Sequence, residues 1–208
     1  MNGPTNKFFG VKAISAAILL LFATASNATV IFSDNFDDEN GGVGEINYND
    51  FDNWIVNEGT VDLIGNGSFD FLPGNGLYVD LDGSTSDPGE MVSSTPITLG
   101  PGTYHLSFDL AGNRRNDASE TVSVQVNMGS IFSSTYSLGR NDPFTTFGTT
   151  FSIASEMSVS LFFANDSGRD NIGMLLDNVS LTHVPEPGTL ALLGLGLVGM
   201  GAARRRKA

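Results

Sequence analysis

The chain has 208 residues, of which 40% are hydrophobic and only 16% are charged, and its formal net charge is −13. The absence of cysteine excludes disulfide scaffolds, cysteine-ligated zinc, iron–sulfur clusters and thiol nucleophiles. Two histidines leave little for a histidine-built metal site or a catalytic triad. The pI near 4.2 argues against nucleic acid as a partner, because no excess of Lys and Arg exists to neutralise phosphates.

The first 28 residues (1–28) predict a secretory signal peptide. Lys7 and Lys12 form a positive N-terminal region, the stretch 13–25 is almost entirely apolar, and the small residues that end at Ala28 form a cleavage site of the A-x-A kind. A site that ends at Ala25 is an alternative. A membrane anchor is the other alternative, but thirteen apolar residues are too few to span about 30 Å at about 1.5 Å per helical residue.

Residues 29–183 form the predicted domain. They contain four arginines, no lysine and 22 acidic residues, so their formal charge is −18. Such a surface repels polyanions and attracts divalent cations. A segment of 155 residues buries enough surface for an independent core without disulfides.

Side chains in this domain alternate with a period of two, which is typical of strands with one buried face. The clearest alternation covers 104–110, 122–126 and 157–163. Further strands are predicted, in chain order, at 30–32, 53–56, 61–64, 77–81, 131–137, 145–151 and 175–181, with Gly, Pro, Asn and Asp turns between them. About ten short strands predict an all-β, antiparallel jelly-roll sandwich. An immunoglobulin-like sandwich is the alternative.

An acidic stretch after the first strand indicates calcium as the best cofactor hypothesis. Four acids lie close together at 34–39, and Asp177 reaches them if the first and last strands are neighbours. Calcium takes six to eight hard oxygen ligands, which clustered carboxylates and backbone carbonyls supply. The alternative is that these acids only keep the domain soluble, because no fixed calcium-loop spacing is present.

A glycan-binding surface is the second site hypothesis, because sugars are bound by aromatic rings together with amide and carboxylate groups. Trp54 and Tyr78 are amphipathic aromatics, and Asp80 and Asp82 are acids that could flank them. The alternative places both rings in the core, as is usual for a lone Trp within an apolar strand. In that alternative Asp80 and Asp82 line the polar face of their strand.

The same residues do not predict an enzyme. His105 and His183 have no companion histidine, and no G-x-S-x-G elbow is present. A glycosidase needs only two carboxylates about 5–10 Å apart, so a small carbohydrate-active enzyme stays as an alternative.

The C-terminal segment 184–208 has a three-part order. Pro185, Glu186 and Pro187 end the preceding strand, since proline cannot donate to a ladder. An uncharged, glycine-rich stretch follows at 188–203 and predicts a transmembrane helix of about 24 Å, slightly short of a bilayer core. The basic tail 204–207 would stay on the cytoplasmic side. A buried core helix is the alternative, but nothing polar divides the segment into faces.

This order resembles the PEP-CTERM protein-sorting signal. The resemblance rests on the Pro-Glu-Pro, on the apolar helix and on the arginine cluster formed by Arg204, Arg205 and Arg206. It implies export through the inner membrane by the secretion machinery, transient retention there, and processing by an exosortase. It also implies a Gram-negative host that makes exopolysaccharide, and a final place at the cell surface or in the extracellular matrix.

The domain itself is similar, more weakly, to jelly-roll carbohydrate-binding modules. The similarity rests on 35–39 (NFDDE), 101–104 (PGTY) and 176–181 (LDNVSL). Such modules commonly hold a structural calcium between an acid near the first strand and an aspartate in the last, which implies Asp37 or Glu39 together with Asp177. The predicted function is non-catalytic binding or organising of exopolysaccharide. A purely structural or adhesive surface protein without a sugar site is the alternative.

Overall fold

The structure is a computed structural model that describes residues 28–67, 69–85, 87–115 and 119–186, and positions 194, 196, 197, 200, 204 and 205. The predicted signal peptide 1–28, apart from Ala28, lies outside the described residues, as does most of the predicted helix 188–203. One compact unit is Ser26–Glu186. The other joins Met1–Ala25 to Pro187–Ala208, and its six described positions have helical backbone. Among the described residues no helix has both the length and the apolar character needed to cross a membrane.

The unit Ser26–Glu186 is all-β, with one short 3-10 turn at Glu39–Gly42 in its described part. Its thirteen described strands are β1 Thr29–Asp34, β2 Trp54–Glu58, β3 Asp62–Gly65, β4 Leu77–Asp80, β5 Glu90–Ser93, β6 Ile97–Leu99, β7 Gly102–Ala111, β8 Ser119–Val126, β9 Phe132–Gly139, β10 Thr145–Ile153, β11 Met157–Val159, β12 Leu161–Asn165 and β13 Leu175–Val184.

The strands form two antiparallel sheets and one small pair. The first sheet has the order β10-β7-β13-β4-β3, with β1 also paired to β13, and the second has the order β2-β5-β12-β8-β9. Strands β6 and β11 form the pair. The prediction of an all-β, antiparallel jelly-roll sandwich is confirmed.

The core lies between the two sheets, where alternate side chains of each strand meet. On β7 the inward residues Leu106 and Phe108 are fully buried, as is Val124 on β8. Phe163 of the second sheet contacts Phe108 of the first with ring centroids 5.3 Å apart, and it contacts Trp54 at 5.6 Å. Because every described strand and the apolar core lie within Ser26–Glu186, this unit can fold by itself.

Strand β13 organises the first sheet. It pairs with β7 along its length, while its other edge pairs first with β4 and then with β1. Thr29 lies opposite His183, so the first and last strands are neighbours, as the calcium hypothesis required. A bulge between Asp177 and Ser180 interrupts the pairing with β7 and brings Asn178 to φ +49°.

Two details of the strand prediction are wrong. The predicted strand 157–163 is two strands, because β11 pairs with β6 whereas β12 pairs with β5 and β8. Strands β5 and β6 were not predicted at all. They have four and three residues, too few for alternation to stand out from the turns beside them.

A second apolar cluster lies on the outer side of the first sheet. Tyr78 and Leu175 pack there against Ile64, Leu72 and Ala111. The loop between β3 and β4 and the loop before β10 cover the cluster with Phe71 and Phe144, which pack against it. This covering explains why strand β4, which ends at Asp80, is buried on both faces.

Candidate functional site

Of the residues predicted to bind calcium, Glu39 lines a cavity of about 590 Å³ at one end of the sandwich, and Asp37 and Asp177 are chain neighbours of other residues that line it. The cavity lies between the end of β1, the 3-10 turn and the β13 bulge, and its polar lining includes Asp34, Asp38, Glu39, Asp52, Asn53 and Asn178. This end of the domain therefore carries much of the negative charge that the composition implied.

Glu39 is 5% exposed, and both of its carboxylate oxygens accept the Asp52 amide at 3.1 Å. Burial raises the pKa of Glu39 from 4.5 to about 7, and the neighbouring acids, Asp34 first among them, act in the same direction. Glu39 is thus a buried acid whose ionised form is disfavoured both by burial and by the neighbouring negative charges.

Asp177 is 3% exposed and lies in the bulge of β13. Its Oδ1 accepts the Asn178 amide at 2.6 Å and its Oδ2 accepts the Asn178 Nδ2 at 3.2 Å. Burial raises the pKa of Asp177 from 3.8 to about 7, and Asp37 is the acid that adds most to this rise. Asp37 itself accepts the Leu77 amide at 2.9 Å and the Asn35 amide group at 2.8 Å.

The fit to a metal ion is mixed. The donors are carboxylate oxygens of the kind calcium takes, and two of the three predicted ligands are acids whose ionised form is disfavoured without a cation. Among the described residues, however, no three or more His, Asp or Glu side chains are arranged to hold a metal ion. Calcium stays a prediction.

The structure corrects the predicted aromatic platform. Trp54 is 2% exposed and donates from Nε1 to the Asp34 Oδ2 at 2.9 Å, while Tyr78 is fully buried and donates to Asp70 at 3.1 Å. Burial raises the pKa of Tyr78 to about 12. Neither ring offers a face to a ligand, since both pack among apolar side chains, as the core alternative stated.

Asp80 is also buried, but it is the centre of a polar network. Its Oδ1 accepts the amides of Asp82 at 3.1 Å and Gly173 at 2.8 Å. Its Oδ2 accepts the Asn113 side chain at 2.9 Å and forms an ion pair with Arg115. Burial raises the pKa of Asp80 to about 7, although Arg115 and the other donors act in the opposite direction.

Asp82 is fully buried, and its carboxylate binds backbone amides of the loop between β12 and β13 instead of facing solvent. Its Oδ2 accepts the amides of Asp170 at 3.2 Å and Ile172 at 3.3 Å, and its Oδ1 has no partner in the described part of the chain. Burial raises the pKa of Asp82. Of the four predicted ligand-binding residues, none is accessible at the surface.

One exposed surface was not predicted: the outer face of the second sheet. Ile55, Val92 and Phe162 lie directly opposite one another on β2, β5 and β12, and Gln125 and Ser133 continue the row. Hydroxyl side chains of β8 and β9 flank the row, namely Thr121, Ser123, Thr135 and Ser137. The signal was the run 161–163, which is apolar on both faces of its strand.

The sorting residues follow the last strand without a gap. Val184 is still paired with Thr103, and Pro185 and Glu186 come next. Arg204 and Arg205 are described as helical, whereas Pro187 and Arg206 lie outside the described residues.

Comparison with known proteins identifies this segment. Residues 183–207 match the model of the PEP-CTERM protein-sorting motif. The chain therefore carries that motif, which marks an exported protein that is processed by an exosortase. No curated protein matches the chain.

Solved structures show the fold of the domain. The chain is similar to the CBM22-1 xylan-binding domain from Paenibacillus barcinonensis Xyn10C, with a TM-score of 0.51 and 12% identity over 78% of this chain and 99% of that one. The CBM22-1-CBM22-2 tandem domain of the same protein gives a TM-score of 0.50 and 13% identity over 77% of this chain. The chain spans 51% of that tandem, and 29% of the CBM22-1-GH10 modules of the Clostridium thermocellum xylanase 10B. The chain thus has the same jelly-roll fold as these domains.

Proposed function

We propose that this protein is an exported, exosortase-processed surface or extracellular-matrix protein whose domain binds and organises exopolysaccharide without catalysis. The observation that carries the proposal is the combination of a sorting motif at 183–207 with a domain that matches a xylan-binding domain over 99% of its length. The exosortase and the secretion machinery are the implied protein partners. We also infer that the chain resides in the inner membrane at least transiently.

The outer face of the second sheet is the surface that we assign to the glycan. Pyranose rings have apolar faces and polar edges, so a bound sugar needs apolar contact with hydrogen-bonding groups beside it. The row of Ile55, Val92 and Phe162 supplies the apolar contact, and the flanking Ser and Thr hydroxyls supply the hydrogen bonds. Asn57 donates to Glu90 at 2.7 Å at one end of this surface, which orients that pair.

Binding is tested with purified residues 26–186 and exopolysaccharide isolated from an exosortase-bearing Gram-negative bacterium. The variant Phe162→Ala removes the half-buried ring, and we expect affinity to fall about two- to tenfold, since aromatic contacts are worth about 0.5–1.5 kcal/mol beyond their area. Val43→Ala is the matched control, because Val43 is 60% exposed and lies outside this face. Equal affinity of Phe162→Ala and the unsubstituted domain would refute the assignment of the surface.

We also propose a structural calcium ion at the acidic end, with Asp177 and either Glu39 or Asp37 as its carboxylate ligands. The support is the burial of Glu39 and Asp177 beside other acids, which raises the pKa of both to about 7. A divalent cation would offset this repulsion and connect β1 to β13.

A further inference from the structure

A small cavity of about 40 Å³ opens on the outer side of the first sheet, away from the face assigned to the glycan. Its lining includes both polar side chains and aromatic rings. The polar residues are Asp62, Asp80, Ser84 and Arg115, and the aromatic ones are Phe69 and Phe71. A volume of this size admits one substituent of a sugar, such as a carboxylate, and not a whole pyranose ring.

Arg115 is held rigidly in this cavity wall. Its Nη2 donates to Asp80 and its Nε donates to Asn113, and the guanidinium lies over the Phe71 ring at 4.8 Å from the centroid. Within the described part of the chain these partners use two of the five N–H groups of the guanidinium. The side chain is 29% exposed, so a guanidinium with donors that no described residue occupies faces the cavity in one orientation.

The acids of the cavity are already satisfied by protein donors. Asp62 accepts the Asn47 amide at 2.7 Å, the Ser84 amide at 3.1 Å and the Ser84 hydroxyl at 2.8 Å. Asp80 accepts four hydrogen bonds, as described above. The carboxylates therefore hold the loops and the arginine in place, and Arg115 is the lining group suited to bind a ligand.

Two neighbours of the cavity point to the kind of ligand. Phe69 is 61% exposed and has a left-handed backbone with φ +48°, which is costly for an aromatic residue and leaves its ring at the surface. Arg114 is exposed, and its amide donates to the Arg140 carbonyl at 3.0 Å, so three of the four arginines in residues 29–183 lie in adjoining loops. The domain concentrates its scarce positive charge here.

We propose that this cavity binds a carboxylate-bearing sugar residue of an acidic polysaccharide, with the arginines of the adjoining loops offsetting locally the repulsion between a polyanion and the negative charge of the domain. The planar carboxylate pairs with the guanidinium of Arg115, which matches its two oxygens with parallel N–H donors, and the sugar ring lies against Phe69. The site rests on the proposed carbohydrate function but occupies a different surface, and it adds selectivity for acidic over neutral polymers.

The test compares oligogalacturonate with the same oligomer after its carboxyl groups are reduced to alcohols, using residues 26–186 and isothermal titration at 0.15 M salt. We expect the acidic oligomer to bind at least tenfold tighter. Arg115→Lys keeps the charge but removes the planar fork, and we expect it to abolish that preference. Arg169→Lys, at an exposed arginine that lies 3.5 Å from Asp87, is the matched control and should retain the preference.

Phe69→Ala is a second variant for the case that Arg115→Lys destabilises the fold. Because the Phe69 ring is exposed, its removal should leave the fold intact. We expect Phe69→Ala to weaken binding of the acidic oligomer several-fold. Phe162→Ala should leave the acidic preference intact. Failure of the unsubstituted domain to bind a neutral glycan would count against the proposed function and not against this site. Equal affinity for both oligomers, an unchanged preference in folded Arg115→Lys, or equal binding of oligoglutamate would overturn the proposal.

Discussion

The free energy of unfolding of residues 26–186 should fall as pH rises from 5 to 8 in metal-free buffer. Glu39 and Asp177 have a pKa of about 7 in the folded domain, against ordinary values of 4.5 and 3.8. Between those values the folded state keeps a proton that the unfolded state has lost, so stability is fully present below the unfolded pKa and is lost as pH rises through the folded one.

The size of this effect follows from linkage. One pKa unit corresponds to about 1.4 kcal/mol, so each of the two groups lowers the free energy of unfolding by about 2–3 kcal/mol across that pH range. Together they remove about 5 kcal/mol, which is a large part of the roughly 5–15 kcal/mol that stabilises an ordinary domain. Asp80, whose pKa burial also raises to about 7, contributes in the same direction.

The assay is urea unfolding at half-unit pH intervals, followed by Trp54 fluorescence. Glu39→Gln should remove about half of the decrease assigned to the two groups, because glutamine does not titrate and its side-chain oxygen still accepts the Asp52 amide. A free energy of unfolding that is constant or increases between pH 5 and 8 would refute the reasoning, as would a Glu39→Gln domain with an unchanged pH dependence.

Two further results are expected. Calcium should raise the melting temperature of residues 26–186 more at pH 7.5 than at pH 5, because protons compete for the same carboxylates; a melting curve unchanged by calcium and by EDTA would contradict the calcium proposal. Trp54→Phe should lower the free energy of unfolding by about 1–3 kcal/mol in urea titrations, because the Asp34 carboxylate loses the 2.9 Å bond from Nε1. A loss below about 0.5 kcal/mol would mean that this bond contributes little to the fold.

The fold could be predicted from the sequence where one face of a strand is buried and the other is wet. The alternation at 104–110 and 122–126 corresponds to β7 and β8, whose inward and outward residues differ sharply in burial. The prediction of strands from alternation failed where the two faces of a strand do not differ in burial. Phe162 lies between two buried residues yet points outward, so the face it belongs to could not be recognised from a continuous apolar run.

The site was harder to predict because its residues meet through tertiary structure. Asp80 and Arg115 are separated by 35 positions and pair across the outer side of the first sheet. Tyr78 alternates with core residues in sequence, as a surface aromatic would, but two loops cover that side of β4. No local pattern predicts which polar face of a strand a loop will cover, whereas the sorting motif could be recognised because its three parts are contiguous.

The pairing of the first and last strands extends the sheet up to the sorting motif. Thr29 lies opposite His183, and the His183 ring contacts Tyr104 with centroids 5.2 Å apart, so the sheet remains ordered up to the residue before the Pro-Glu-Pro. Proline cannot donate to a ladder, and Pro185 therefore ends β13 at the boundary of the motif. The chain is thus a folded sheet immediately upstream of the sorting motif. The same strand also bears Asp177, so a cation bound there would stabilise the strand that immediately precedes the motif.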